Sequence, residues 1–105
     1  MSRKNCWRII TGSKIIIDLS SCRFPSDIHD KLKESFGFPD DYGANWSAFW
    51  DYLDDFCGDM ESRIDVYVKG IDSMRTDLQA YSKGMIEVMR DAEEKYPLVH
   101  FLIEQ

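Results

Sequence analysis

Residues 38–56, FPDDYGANWSAFWDYLDDF, carry five aspartates (Asp40, Asp41, Asp51, Asp54 and Asp55) among aromatic rings, with no Lys or Arg. Several chemistries of carboxylates are open to such a stretch, and most fail on spacing. Asp54 and Asp55 are neighbours that diverge on a helix, so they do not face each other across a glycosidic bond. The twelve residues DDYGANWSAFWD lack acids at the third and fifth places of a calcium loop. Thr11-Gly12-Ser13-Lys14 has no glycine-rich span before it and is not a phosphate-binding loop. His29 and His100 are the only histidines. His100 sits in the apolar run LVHFLI and reads as a satisfied core residue, and His29 has no partner legible nearby. The three cysteines, Cys6, Cys22 and Cys57, form no CxxC pair and read as reduced thiols rather than zinc ligands or a disulfide framework. No catalytic residue, metal or cofactor is implied. What remains is the display of negative charge beside rings. That pattern fits recognition of a basic surface, or a solvated acidic face with no partner.

Bulk charge points the same way. The formal charge is −6 and the pI about 4.8, which repels nucleic acid and anionic membrane and attracts a cationic protein surface. The 105 residues, 44% hydrophobic and 30% charged, suit one globular domain over 1–105 with a single core. No apolar run approaches the roughly 20 residues that span a bilayer. The start, MSRKNCWRIITGS, is polar and interrupted and does not read as a secretory signal. A cytoplasmic protein, monomeric when free, is the expectation, and Asn45-Trp46-Ser47 is then a glycosylation sequon in letters only.

Periodicity supplies the elements that would hold this stretch. KIIIDL (14–19) and LVHFLI (98–103) are short apolar runs that read as buried strands, and RIDVYVK (63–69) alternates as a half-exposed one. WRII (7–10) pairs with the first strand as a hairpin arm or extends an edge. Ser26 is expected to cap a helix bearing Ile28, Leu32 and Phe36, stopped by Gly37 and Pro39. Residues 71–95 read as helix, with a possible break near Ala80–Gly84. Strands separated by thirty to forty residues of helix can pair in parallel. The expected fold is a small α/β domain with a three-stranded parallel sheet and about four helices; strand order stays open.

At 100° per residue, a helix opened by the cap Asn45 puts Trp46, Phe49, Leu53 and Phe56 on a core stripe. Ser47, Asp51, Asp54 and Asp55 fall on another face, with Trp50 between the two. Asp54 and Asp55 lie where the helix dipole disfavours negative charge, and Asp51 and Asp55 are like charges one turn apart. Glu34 to Ser62 holds eight acidic residues and no basic one, an arrangement local stability does not favour.

The segment 38–53, with Pro39, Tyr42, Gly43 and Asn45 followed by Ala48, Trp50, Asp51 and Leu53, resembles the barstar family of ribonuclease inhibitors. DIHDKLKESF (27–36), VMRDAEE (88–94) and LVHFLI extend the resemblance from Lys14 to the end, leaving residues 1–13 as an N-terminal extension. The resemblance implies a barstar-like parallel sheet with helices. It also implies a protein that plugs a nuclease cleft with the Tyr-Gly turn and the helix after it, the aspartate matching Asp51 standing where an RNA phosphate would. It implies a basic ribonuclease as partner, in a bacterial toxin–immunity pair, and Asp41, Tyr42, Gly43, Asn45, Ser47, Trp50, Asp51, Asp54 and Gln79 as partner-binding positions. The sequence departs from the family at Ser47, which replaces a carboxylate, at Asp41, which replaces an aromatic, and at Gln79 and Lys83, which take the places of two carboxylates on the last long helix. These departures point to a nuclease other than barnase, or to an interaction module of the same fold with a non-nuclease partner.

Overall fold

The computed structural model describes residues 14–104. Strand β1 (Lys14–Asp18) leads to helix α1 (Pro25–Phe36) and helix α2 (Trp46–Gly58). Strand β2 (Ile64–Lys69) follows, then a 3-10 turn (Ile71–Ser73), helix α3 (Thr76–Lys95) and strand β3 (Val99–Ile103). The sheet is parallel throughout, in the order β1-β2-β3, with Ile16 opposite Tyr67 and Tyr67 opposite Leu102. The α/β class and the three parallel strands are as expected; among the described residues there are three α-helices and one 3-10 turn, against an expectation of about four helices. The WRII segment lies outside the described residues.

The strand order explains where the core lies. Both crossovers step in the same direction, and right-handed connections that do so put every helix on one face. The inward residues Ile15, Ile17, Ile64, Val66, Val68, Val99 and Phe101 are buried against the helices. The other face stays open among the described residues, with Ile16 at 54%, Tyr67 at 37% and Leu102 at 45% exposure in one row. KIIIDL and LVHFLI are therefore half-exposed strands, not runs buried on both faces. His100 is half-buried on that outer face and is not a core residue. The described chain has no helix long and apolar enough to cross a membrane.

Each helix buries the stripe its spacing dictates. Ile28, Leu32 and Phe36 from α1 meet Phe49, Leu53 and Phe56 from α2 and Leu78, Met85, Met89 and Ala92 from α3 in one core. The cap of α1 is not Ser26. Pro25 takes the first helical position, where its missing N–H costs nothing, and the Asp27 carboxylate accepts the N–H groups of Arg23 and Phe24. Gly37 ends α1 in the left-handed conformation, φ 74°, with its N–H bonded to Lys33 O. On the outer side of β3, Arg90 donates to Phe101 O and Glu93 accepts the Phe101 N–H, so side chains of α3 occupy polar backbone groups on that edge. Cys22 and Cys57 are free and buried, and burial pushes the Cys57 thiol up to about 12; Cys6 lies outside the described residues.

Helix α3 runs unbroken through Ala80–Gly84; the interruption falls earlier, at Met74 and Arg75. Gly84 has a different use. A Cβ there would stand 2.4 Å from the Trp46 indole, so the glycine is a notch that lets the first turn of α2 lie against α3. Alanine normally favours a helix over glycine by about 1 kcal/mol. Here the overlap with a ring held by three other aromatic side chains outweighs that gain. Gly84→Ala is expected to lower the unfolding free energy by about 1–3 kcal/mol, measured by urea denaturation. An unchanged or raised midpoint would show that Trp46 moves aside freely.

Candidate functional site

The turn between α1 and α2 is fixed from several sides. Phe38 packs in the core beside Phe36, and the Tyr42 N–H bonds to Pro39 O. Asn45 caps α2: its Oδ1 accepts the Ala48 N–H at 2.8 Å while its Nδ2 donates to Gly43 O at 3.2 Å. Asn45 therefore binds the turn to the helix with both ends of one amide. The left-handed residue is Ala44, φ 53°, and not Gly43. A non-glycine residue held there carries strain of order 1–3 kcal/mol, sustained by the contacts around it. At Gly43 a Cβ would make a tight contact, 3.3 Å from the Ala48 Cβ.

Beneath the turn lies a polar link that sequence spacing does not reveal. His29, 2% exposed, has Nδ1 at 2.7 Å from the Tyr42 hydroxyl and Nε2 at 2.8 Å from the Tyr81 hydroxyl. Its ring lies 4.5 Å from Trp46, centroid to centroid. A neutral imidazole donates through one nitrogen and accepts through the other, so one tyrosine accepts and the other donates. One side chain of α1 thus ties the turn to α3 while touching the first residue of α2. Burial holds His29 below its ordinary value of 6.5 and outweighs the opposing charge of Asp30, and burial also raises the Tyr42 hydroxyl.

The carboxylates of the acidic stretch have unequal surroundings. Asp40 pairs with Lys33 at 3.0 Å, and Asp41 accepts the Tyr52 hydroxyl at 2.8 Å. Asp54 takes the Tyr96 hydroxyl and, at 2.9 Å, the Lys95 ammonium; these two, in that order, hold its carboxyl below the usual carboxylate range. Asp51 is exposed and has no hydrogen bond or ion pair within the described residues. Ser47, one turn earlier, is exposed beside it on the helix, and Trp50 is half-buried against the core. Two cations from outside it, Lys33 just before and Lys95 from α3, thus offset part of a run that contains none itself.

Not every expected position joins this surface. Tyr42, Gly43, Asn45, Ser47, Trp50, Asp51 and Asp54 lie along the turn and α2, with Asp41 just before them. Gln79 does not share their face. It sits about 140° around α3 from Gly84, the residue that meets Trp46. Its Nε2 donates to Met74 O at 2.8 Å, and its neighbours are Ile71, Asp72, Ser82, Lys83 and Ile86. The α3 positions on the Gly84 side are Asp91 and Lys95, seven and eleven residues on. Both are exposed, and the sequence reading overlooks them because the gaps before the last helix leave its register ambiguous.

The unfolded chain protonates His29 near 6.5, whereas the folded chain resists. The stabilisation is therefore complete above that pH and declines as the pH falls below it. The melting temperature is expected to drop between pH 7.5 and 5.5, and His29→Gln to melt lower at pH 7.5 but with a flatter profile across that window. Equal slopes for the two proteins would assign the pH dependence to other groups.

Comparison with known proteins accords with this architecture. A family model described as Barstar (barnase inhibitor) matches residues 13–103. A Bacillus subtilis (strain 168) protein named "Putative ribonuclease inhibitor YrdF" is 34% identical over 82 residues, covering 78% of this chain and 87% of that one. A parallel sheet carrying its helices on one face, a Tyr-Gly turn held against an Asn-capped helix, and a match across nearly the whole described chain lead to one conclusion: this chain belongs to the barstar family.

Proposed function

We propose that the protein inhibits a ribonuclease toxin by laying the 41–45 turn and the exposed face of α2 into the enzyme's basic cleft, protecting the cell that makes the toxin. One observation carries this reading. Of the aspartates on α2 and the turn before it, Asp51 combines exposure to solvent with the lack of any hydrogen bond or ion pair among the described residues, and it stands beside the half-buried Trp50. A carboxylate in that state is free to take the place of an RNA phosphate against guanidinium and ammonium groups, through short charge-assisted bonds. Trp50 offers rigid apolar contact at the same point. Binding of this kind needs no catalytic group in the inhibitor.

The remaining carboxylates act through their field. Asp40, Asp41 and Asp54 already have partners, so they add to the negative potential that speeds encounter with a cation-lined cleft. Tyr42 and Asn45 keep the turn in place, and Gly43 with Ala44 forms its tip. Ser47 contributes a hydroxyl on the same face as Asp51. Gln79, on the other flank of α3, is not assigned to this contact.

The test is inhibition of a ribonuclease, sought first among the genes beside this chain's own, using purified variants. Asp51→Ala is expected to weaken inhibition about thirtyfold or more, roughly 2 kcal/mol, the scale of a lost hydrogen bond to a charged group. Trp50→Ala should lose a comparable amount. Asp40→Ala, which removes a surface ion pair, should change inhibition by about threefold or less. If Asp51→Ala and Asp40→Ala prove equal, the α2 face is not the contact.

A further inference from the structure

Of the two cations that pair with the acidic stretch, Lys95 is the one beside α2. Lys95, in the last turn of α3, is 53% exposed, and its Nζ lies 2.9 Å from Asp54 Oδ1. The same ammonium is 5.8 Å from the centroid of the Trp50 ring and 5.3 Å from that of Tyr96. Asp54 also accepts the Tyr96 hydroxyl, so it is anchored from two directions. These contacts fix the ammonium beside Trp50, the ring adjacent to Asp51, instead of leaving it to sweep through solvent. Lysine has three N–H donors. Asp54 accepts one of them and the Tyr96 hydroxyl lies beside another, which leaves a donor for a partner.

We infer that Lys95 selects among ribonucleases: its anchored ammonium disfavours a cleft rimmed only by cations and favours one with a carboxylate or other acceptor opposite it. This rests on the function proposed above. Every ribonuclease must meet RNA phosphates with positive charge, so the shared part of recognition falls to Asp51. Discrimination between one cleft and another then needs a group that penalises the wrong one. A fixed cation at the edge of an acidic patch is such a group, since like charges brought together at an interface oppose binding. Lys95 also withholds Asp54 from the partner. Removing the ammonium both lifts the repulsion and frees Asp54, three residues from Asp51, of one of its two partners.

Barnase is the probe, as the ribonuclease named in the family's description. Its dissociation constant is measured calorimetrically against the full chain and against Lys95→Met and Lys95→Glu. Methionine keeps an apolar stem beside Trp50 without the charge, and melting curves confirm that each variant is folded. Both variants are expected to bind barnase at least tenfold more tightly than the parent, with the gain shrinking as salt rises. Unchanged or weaker binding by both, or no detectable binding by any of the three, overturns the inference. Adding Asp51→Ala to Lys95→Met separates the two readings. If the Lys95 gain appears but survives loss of Asp51, the selector stands and the α2 contact falls. If Asp51→Ala abolishes inhibition of the partner ribonuclease while the Lys95 variants gain nothing on barnase, the contact stands and the selector falls.

Discussion

One buried imidazole holds this arrangement together. His29 meets a tyrosine at each nitrogen and a tryptophan on its ring. Those three partners come from the turn, from α3 and from the start of α2. A buried polar group without partners would cost more than the bonds return, so such a link forms as a whole or not at all. Its geometry sets the height of the Tyr42 ring. That ring also lies 5.1 Å from Phe38 and 5.7 Å from Tyr52, centroid to centroid. The outer surface of the turn is therefore built on contacts made entirely inside the molecule.

Helix contact follows the same logic on a larger scale. Trp46 fits the notch at Gly84, and Lys95 and Tyr96 reach Asp54 further along, so α2 and α3 run side by side in the same direction. This pairing gives the acidic face a second wall. The wall is of mixed charge, with Asp91 and Lys95 both exposed on it. The face is thus a surface of two helices with Lys95 set into it, rather than a single negative helix.

Much of this is legible in the sequence, for identifiable reasons. Phe49, Leu53 and Phe56 follow the helical period, and Ile64, Val66 and Val68 the strand period, so their burial is set by local geometry. Asn45 reads as a cap because its side chain acts within three residues. What escapes is long-range. Tyr81 lies 52 residues from His29, and Lys95 lies 41 residues from Asp54. No spacing rule connects such pairs, so His29 looks isolated and the acidic run looks unopposed. The bareness of Ile16 and Leu102 escapes too, because an apolar run looks alike whether one face is covered or both. Gly84 misleads for a related reason: a glycine in a helix suggests a break until the ring that fills the gap is known.

The left-handed backbone at Ala44 has a further consequence. A loop that had to adopt that shape upon docking would surrender chain entropy and take on strain at the moment of association, and the complex would be weaker by that amount. Here Asn45 and Tyr42 hold the shape beforehand, so folding bears the cost. Grip on a partner then becomes tied to the integrity of the whole domain. A substitution far from the surface that loosens the packing under Tyr42 would erode affinity without touching a single contact atom.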